Sequence, residues 1–347
     1  MAYSELNERE RRVLEAVIQS YVETAQPAGS HAIARRFGLG VSPATIRNTM
    51  SDLEEKGMLY HPHTSAGRVP TDVAYRVYVD SLIQLKTMSK REHDRLSAEI
   101  ASGGSAVEAI LRRAAQSLGV ITQELGIALG PRLDNSILER LDLVRLSGER
   151  IIVALTLAGG SVRTIFVEAR GEVADTALAE VTRVLNERLA GSTLRAIRTT
   201  LSERLRDSAP SGNAAELLNV FIEEGEQLFD SAIHGQEDNV LLGHASVLAE
   251  QPEFASANNM RKLVALTETR EDLAELLRKR SEFGGITISI GSEHTEPRLQ
   301  NFTVVTAQYH AAGLSGVIGV IGPTRMPYEK VISLVTHTSK LITELLE

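Results

Sequence analysis

The chain contains no cysteine and no tryptophan, and only 4 % of its 347 residues are aromatic. Without thiols it can form no disulfide, no thiolate zinc site and no cysteine nucleophile. No apolar run reaches the length of a membrane span, and the charged start MAYSELNERERR has no hydrophobic stretch behind it. Neither a spanning segment nor a secretory signal is expected, and the expected compartment is the cytoplasm. Surplus positive charge is also missing, since the formal net charge is −8. That argues against a protein coated in basic residues, yet the acidity is uneven. Residues 1–95 hold 13 basic and 12 acidic side chains. Within them, residues 24–51 carry Arg35, Arg36 and Arg47 and no acid, and residues 56–71 carry Lys56 and Arg68 and no acid. A phosphate backbone could approach these two stretches without repulsion.

The same part of the chain is well punctuated. Asn7 and Glu10 have the spacing of a capping box, and the helix that follows to about Thr24 has an apolar face of Val13, Leu14, Val17, Ile18 and Tyr21. Pro27 and Gly29 break it, Ser30 is placed to cap a short helix with Ile33 and Phe37 inward, and Gly38 ends that helix. In SPATIRNTMSDLEEKG, residues 42–57, Ser42 caps, Pro43 suits the first helical position and Gly57 suits the left-handed residue beyond the end. The run MLYHPHTSAGRVPT then reads as two short extended segments around a turn, and Thr71 caps a helix carrying Val73, Val77, Tyr78 and Leu82. Helix, helix-turn-helix and hairpin in that order predict a winged helix.

Within residues 42–57, Ile46, Met50 and Leu53 share one stripe, while Ala44, Asn48 and Ser51, flanked by Thr45 and Arg47, share the other. Asp52, Glu54 and Glu55 are confined to the last turns. Taken alone this is an ordinary solvated helix. Behind a helix-turn-helix it is a recognition helix entering a major groove by its N-terminal end, with Arg47 for guanine and Asn48 for adenine.

Residues 86–104 are mostly polar and end in paired glycines, so a charged helical connector and a hinged winged helix are expected. Ser105 and Glu108 then open a helix with Val107, Ile110, Leu111, Ala114 and Leu118 inward. LDLVRL, IIVALTL and VRTIFV, joined by turn-length connections, predict an antiparallel meander. From 173 to about 280 three apolar stripes at helical spacing follow: Leu178, Val181, Leu185 and Leu189; Leu194, Ile197, Leu201 and Leu205; and Leu217, Leu218, Phe221, Leu228 and Phe229. They suit an intrachain core or an oligomer interface equally. Strands return at ITISI, FTVVTAQY and LSGVIGVIG, before a last helix with Val331, Ile332, Val335, Ile342 and Leu345 inward.

Signals of catalysis do not accumulate. Gly313, Gly316, Gly319 and Gly322 are not followed by the Gly-Lys-Ser/Thr of a phosphate loop, so close packing within a strand explains them better. His61 and His63 have no carboxylate or cysteine cluster to complete a metal site. No nucleophile turn and no paired carboxylates stand out, and no cofactor or enzyme activity is expected.

The segments SPATIRNTMSDLEEKGML, HPHTSAGRVPTDVAYRVYVD, FTVVTAQY and GVIGVIGPTRMPYEKVI resemble the heat-inducible transcription repressor family known as HrcA, and the resemblance runs over essentially the whole chain. It implies a homodimeric repressor of chaperone operons that binds an inverted-repeat operator in double-stranded DNA and is maintained by the chaperonin GroEL. It also implies an α+β architecture of three parts. These are a winged helix-turn-helix at 1–85, joined through a connector at 86–104, a GAF-like antiparallel-sheet domain at 105–172 and 281–347, and an inserted, mainly helical dimerisation domain at 173–280. The expected DNA-binding residues are Ser42, Ala44, Thr45, Arg47, Asn48 and Ser51 of the recognition helix, with His63, Ser65, Gly67 and Arg68 of the wing on the backbone or minor groove. A metabolite-responsive regulator with a pocket in the GAF-like domain is the alternative, and an enzyme built on the C-terminal sheet a more distant one.

Overall fold

The computed structural model describes residues 6–63, 67–83, 90–101, 107–131, 133–147, 149–158, 160–169, 171, 173–208, 212–234, 240–268, 270–281, 283–311 and 314–346. The chain is a mixed α+β protein whose contacts divide it into two compact units. The first combines residues 1–128, 241–308 and 317–342, and the second residues 129–240, 309–316 and 343–347.

The first unit begins with α1 (Glu8–Thr24), α2 (Ser30–Phe37) and α3 (Pro43–Glu55). An antiparallel ribbon of β1 (Leu59–Tyr60) and β2 (Val69–Pro70) follows, then α4 (Asp72–Val77), which widens into a π-type turn through Leu82. The capping chemistry is as the sequence predicts at three places. Asn7 and Glu10 bond reciprocally at 2.9 Å, Ser42 Oγ accepts from the Thr45 N–H at 3.2 Å, and Thr71 Oγ1 accepts from that of Ala74 at 3.3 Å. At α2 the cap is Gly29, and Ser30 is instead a buried first residue of the helix. Val13, Leu14, Val17, Ile18, Ile33, Ile46, Met50 and Leu53 form the shared core of these helices. Val73, expected inward, is 42 % exposed because α4 turns Ala74, Tyr75 and Val77 to the core instead.

The expected hinge is not what holds this part. Arg76 of α4 reaches Glu293 and the carbonyl of Ile288, the Ser292 N–H donates to Asp72 at 2.8 Å, and Tyr78 Oη donates to Glu329 at 2.8 Å. Arg325 donates to the carbonyl of Val22 at 2.6 Å, and the rings of Tyr75 and Tyr328 meet at 5.6 Å. A polar connector permits motion, but it cannot reveal contacts made some 200 residues further along. Part of that connector is α5 (Lys90–Ala101), whose Leu96 and Ile100 are buried where it packs on α6 (Val107–Thr122). The expected cap Ser105 lies outside the described residues.

After α6 come β3 (Leu125–Leu129), then β4 (Leu138–Arg145), β5 (Arg150–Leu157) and β6 (Val162–Glu168), a three-stranded antiparallel meander. The helices α7 (Asp175–Leu189), α8 (Leu194–Leu205) and α9 (Asn213–His234) close over one face of it. Leu141, Ile151, Val153, Leu155, Ile165 and Val167 from the sheet share one core with Leu178, Val181, Leu185, Ile197, Leu201, Leu217 and Phe221 from the helices. The helical stripes are therefore taken up by an intrachain core. The meander also packs with the helices and forms a sheet of its own, whereas residues 105–172 were expected to belong to the interrupted domain. Hairpin connections disclose that strands pair, not which layer their apolar face covers.

The elements β7 (Val240–Leu242), α10 (Ser246–Ala249), α11 (Ala257–Glu268), α12 (Arg270–Ser281), β8 (Ile286–Ile290), β9 (Phe302–Ala311), β10 (Leu314–Pro323) and α13 (Tyr328–Leu346) complete the chain, most of their residues in the first unit. A five-stranded sheet has the order β7-β3-β10-β9-β8. The glycines of β10 sit where it is tightly packed: a Cβ on Gly319 would lie 2.1 Å from the Val305 carbonyl oxygen, and one on Gly322 2.0 Å from Glu124 Oε2. Gly313 lies outside the described residues.

Candidate nucleic-acid interface

The polar side of α3 is built by two constraints. The apolar stripe of Ile46, Met50 and Leu53 fixes which way the helix faces, and the Ser42 cap, reinforced by a 3.0 Å contact between Ser42 Oγ and Thr45 Oγ1, fixes where it starts. Ser42, Ala44, Arg47 and Asn48 are exposed, with Thr45 and Ser51 half-buried. Among the described residues, no side chain pairs with Arg47 or Asn48. Thr49, one position on, is buried and donates to the Thr45 carbonyl at 3.1 Å.

The other end of α3 anchors the ribbon. Glu54 takes Arg68 at 2.8 Å and His61 Nδ1 at 2.9 Å, and Arg68 Nη2 also donates to Ser51 Oγ at 3.4 Å. The Arg68 side chain is only 12 % exposed, and its backbone pairs with Ala28 through hydrogen bonds of 2.8 and 2.9 Å. Gly67 beside it has no room for a side chain, because a Cβ would lie 2.4 Å from the Ala28 carbonyl oxygen. Both residues therefore have a structural task, fastening the ribbon to α3 and to the α1–α2 connection. His63 is exposed, and Ser65 lies outside the described residues. The acids of α3 were expected only to stay clear of a duplex, so the role of Glu54 as the shared anchor is an addition.

One more pair braces this arrangement. Lys56 Nζ sits 2.8 Å from Glu10, a buried residue of α1, just beyond the end of α3. Burial alone would raise the Glu10 carboxyl, but the hydrogen bond from Lys56, the Asn7 N–H and the Lys56 charge together hold it below its ordinary value. No group of three or more metal-ligating side chains occurs among the described residues.

The sequence model described as the HrcA protein C terminal domain matches residues 108–332. The heat-inducible transcription repressor HrcA of Chlorobium phaeobacteroides strain BS1 is 41 % identical over 347 residues, with 97 % of each chain covered. That of Geobacter sulfurreducens is 37 % identical, with 99 % of each covered. A crystal structure of a hypothetical protein superposes with a TM-score of 0.60 at 23 % identity, over 98 % of this chain and 97 % of that one, a likeness of fold. The class these findings define is a transcription repressor. The chain belongs to the HrcA family of heat-inducible transcription repressors.

Proposed function

We propose that the chain represses chaperone operons as a cytoplasmic homodimer, each protomer reading one arm of an inverted repeat in double-stranded DNA. Residues 1–85 act as a winged helix-turn-helix with α3 as the recognition helix and the β1–β2 ribbon as the wing. Arg47 and Asn48 face base edges, with Ser42, Ala44, Thr45 and Ser51 close to the groove, and His63, Ser65, Gly67 and Arg68 hold the wing on the backbone. The observation that carries this reading is that Arg47 and Asn48 are exposed, and unpaired among the described residues, on the acid-free end of a capped helix. A footprint on genomic DNA tests it: protection of an inverted repeat beside a chaperone gene is expected, and protection without sequence preference is the contrary result.

Dimerisation is assigned to the second unit. The outer face of its meander carries the cross-strand row Val144, Ile152 and Phe166, and Phe166 is 67 % exposed with Val162 at 57 %. An exposed apolar row on a sheet is a surface that a second copy can cover. The five-stranded sheet serves as the GAF-like part. Chaperonin dependence is supported by its topology, since β3 joins β10 almost 190 residues later. Non-local pairing of this kind folds slowly and exposes apolar surface on the way. Recovery of operator-binding protein after refolding at constant temperature, with and without GroEL and ATP, tests that part. Equal recovery in both would leave the chaperonin out.

A further inference from the structure

The cations of residues 6–83 fall into two groups. Arg36 pairs with Glu23, Lys56 with Glu10, Arg68 with Glu54, Arg76 with Glu293 and Asp80, and Arg11 donates to the carbonyl of Leu6. Arg9, Arg12, Arg35 and Arg47 are exposed, and no described carboxylate pairs with them. Two of this second group belong to α1 and were not among the expected DNA contacts.

Arg9 and Arg12, one helical turn apart, line a groove of about 480 Å³. Asn7 and Glu8 also line it, together with Leu39 and Val41 from the α2–α3 turn. Val41 immediately precedes Ser42, so the groove opens beside the start of α3. The ribbon is fastened near the other end, through Arg68, Ser51 and Glu54. A helix lying in a major groove has a phosphate backbone on each side. The groove and the fastening of the ribbon thus lie near opposite ends of α3.

We propose that Arg9 and Arg12 form a second phosphate-backbone contact, gripping the duplex strand on the α1 side of the recognition helix. This rests on the DNA-binding reading above and adds a contact to it. The pair outnumbers the single acid of the groove, Glu8. A backbone contact positions the protein without reading sequence, and each neutralised phosphate steepens the dependence of binding on salt.

The test uses the full-length protein, a duplex carrying the footprinted sequence and a random duplex of equal length, titrated across a salt series. Arg9→Ala/Arg12→Ala should weaken both duplexes by the same factor and flatten the log K against log salt slope by about 2 for each bound protomer. Arg9→Lys/Arg12→Lys should restore the slope, and Glu8→Gln should tighten binding to both duplexes. The melting temperature of each variant, unchanged because both arginines are exposed, separates loss of contact from loss of fold. A double alanine variant with the parental slope, or one that loses preference for the footprinted duplex, overturns the assignment. If the parent protein itself shows no preference for any duplex, the repressor reading fails instead.

Discussion

Arg76 grips Glu293 with two parallel hydrogen bonds, Nε to Oε1 at 2.7 Å and Nη2 to Oε2 at 2.5 Å, although 217 residues separate them. The same guanidinium donates to the Ile288 carbonyl at 2.8 Å, so α4 is fixed to β8 and to the turn that follows it. A fork-to-fork pair of this kind sets orientation as well as distance. The pose of α3 is thereby tied to the C-terminal sheet.

Glu293→Gln should free α4 and cost about 1 to 2 kcal/mol, discounted from the range for charged hydrogen bonds because Glu293 is partly exposed. Hydrogen exchange should quicken in α4. Burial works against ionisation of Glu293, but the Arg76 hydrogen bond, the Ile290 N–H and the Arg76 charge outweigh it and hold the carboxyl below its ordinary value. Its contribution is therefore complete above the ordinary carboxylate range and is lost as pH falls through the lowered pKa. Unchanged exchange in α4 at neutral pH would show that the pair fixes nothing.

Glu124 behaves in the opposite sense. Burial pushes its carboxyl well above the ordinary value and Glu253 adds to the rise, while the Gln251 hydrogen bond and Arg325 only partly counter it. A group shifted upward stabilises the fold fully below its ordinary pKa, and that stability is lost as pH rises through the raised value. Glu124→Gln should therefore melt higher than the parent at about pH 8 and close to it at about pH 5. A constant difference in melting temperature across that range would contradict the assignment.

Gly67→Ala should detach the ribbon from the α1–α2 connection, since the new Cβ would meet the Ala28 carbonyl oxygen at 2.4 Å. The expected cost is about 1 to 3 kcal/mol, as for other overpacked sites. Operator and random DNA should lose affinity together, because the change leaves the exposed side chains of α3 in place. A parental melting temperature would mean that the two segments separate freely.

Phe166→Glu with Val144→Glu should give a folded monomer, because both side chains are exposed in the single chain. Light scattering reports the mass and circular dichroism the fold. A dimer that survives both changes would place its interface elsewhere.

Local structure was legible because its causes are local. The caps at Asn7, Ser42 and Thr71, the stripes of α1, α3 and α7–α9, and the turns of the meander all follow from neighbours a few residues apart. What escaped was non-local: the Arg76–Glu293 grip, the docking of α5 on α6, and the partner of the meander's inner face. For the candidate site, Arg47 and Asn48 could be picked out as the polar face of a capped helix. The internal tasks of Arg68 and Gly67 could not, because they depend on how closely the ribbon approaches Ala28.

The base discrimination proposed for α3 is measured most directly by the ratio of operator to random-duplex affinity at fixed salt. Each good two-point contact contributes about 1 to 3 kcal/mol of discrimination, so Arg47→Ala and Asn48→Ala should each lower that ratio about 5- to 150-fold while changing random-duplex binding little. A ratio equal to the parent's in both variants would contradict the account, and sequence reading would then have to be sought outside α3.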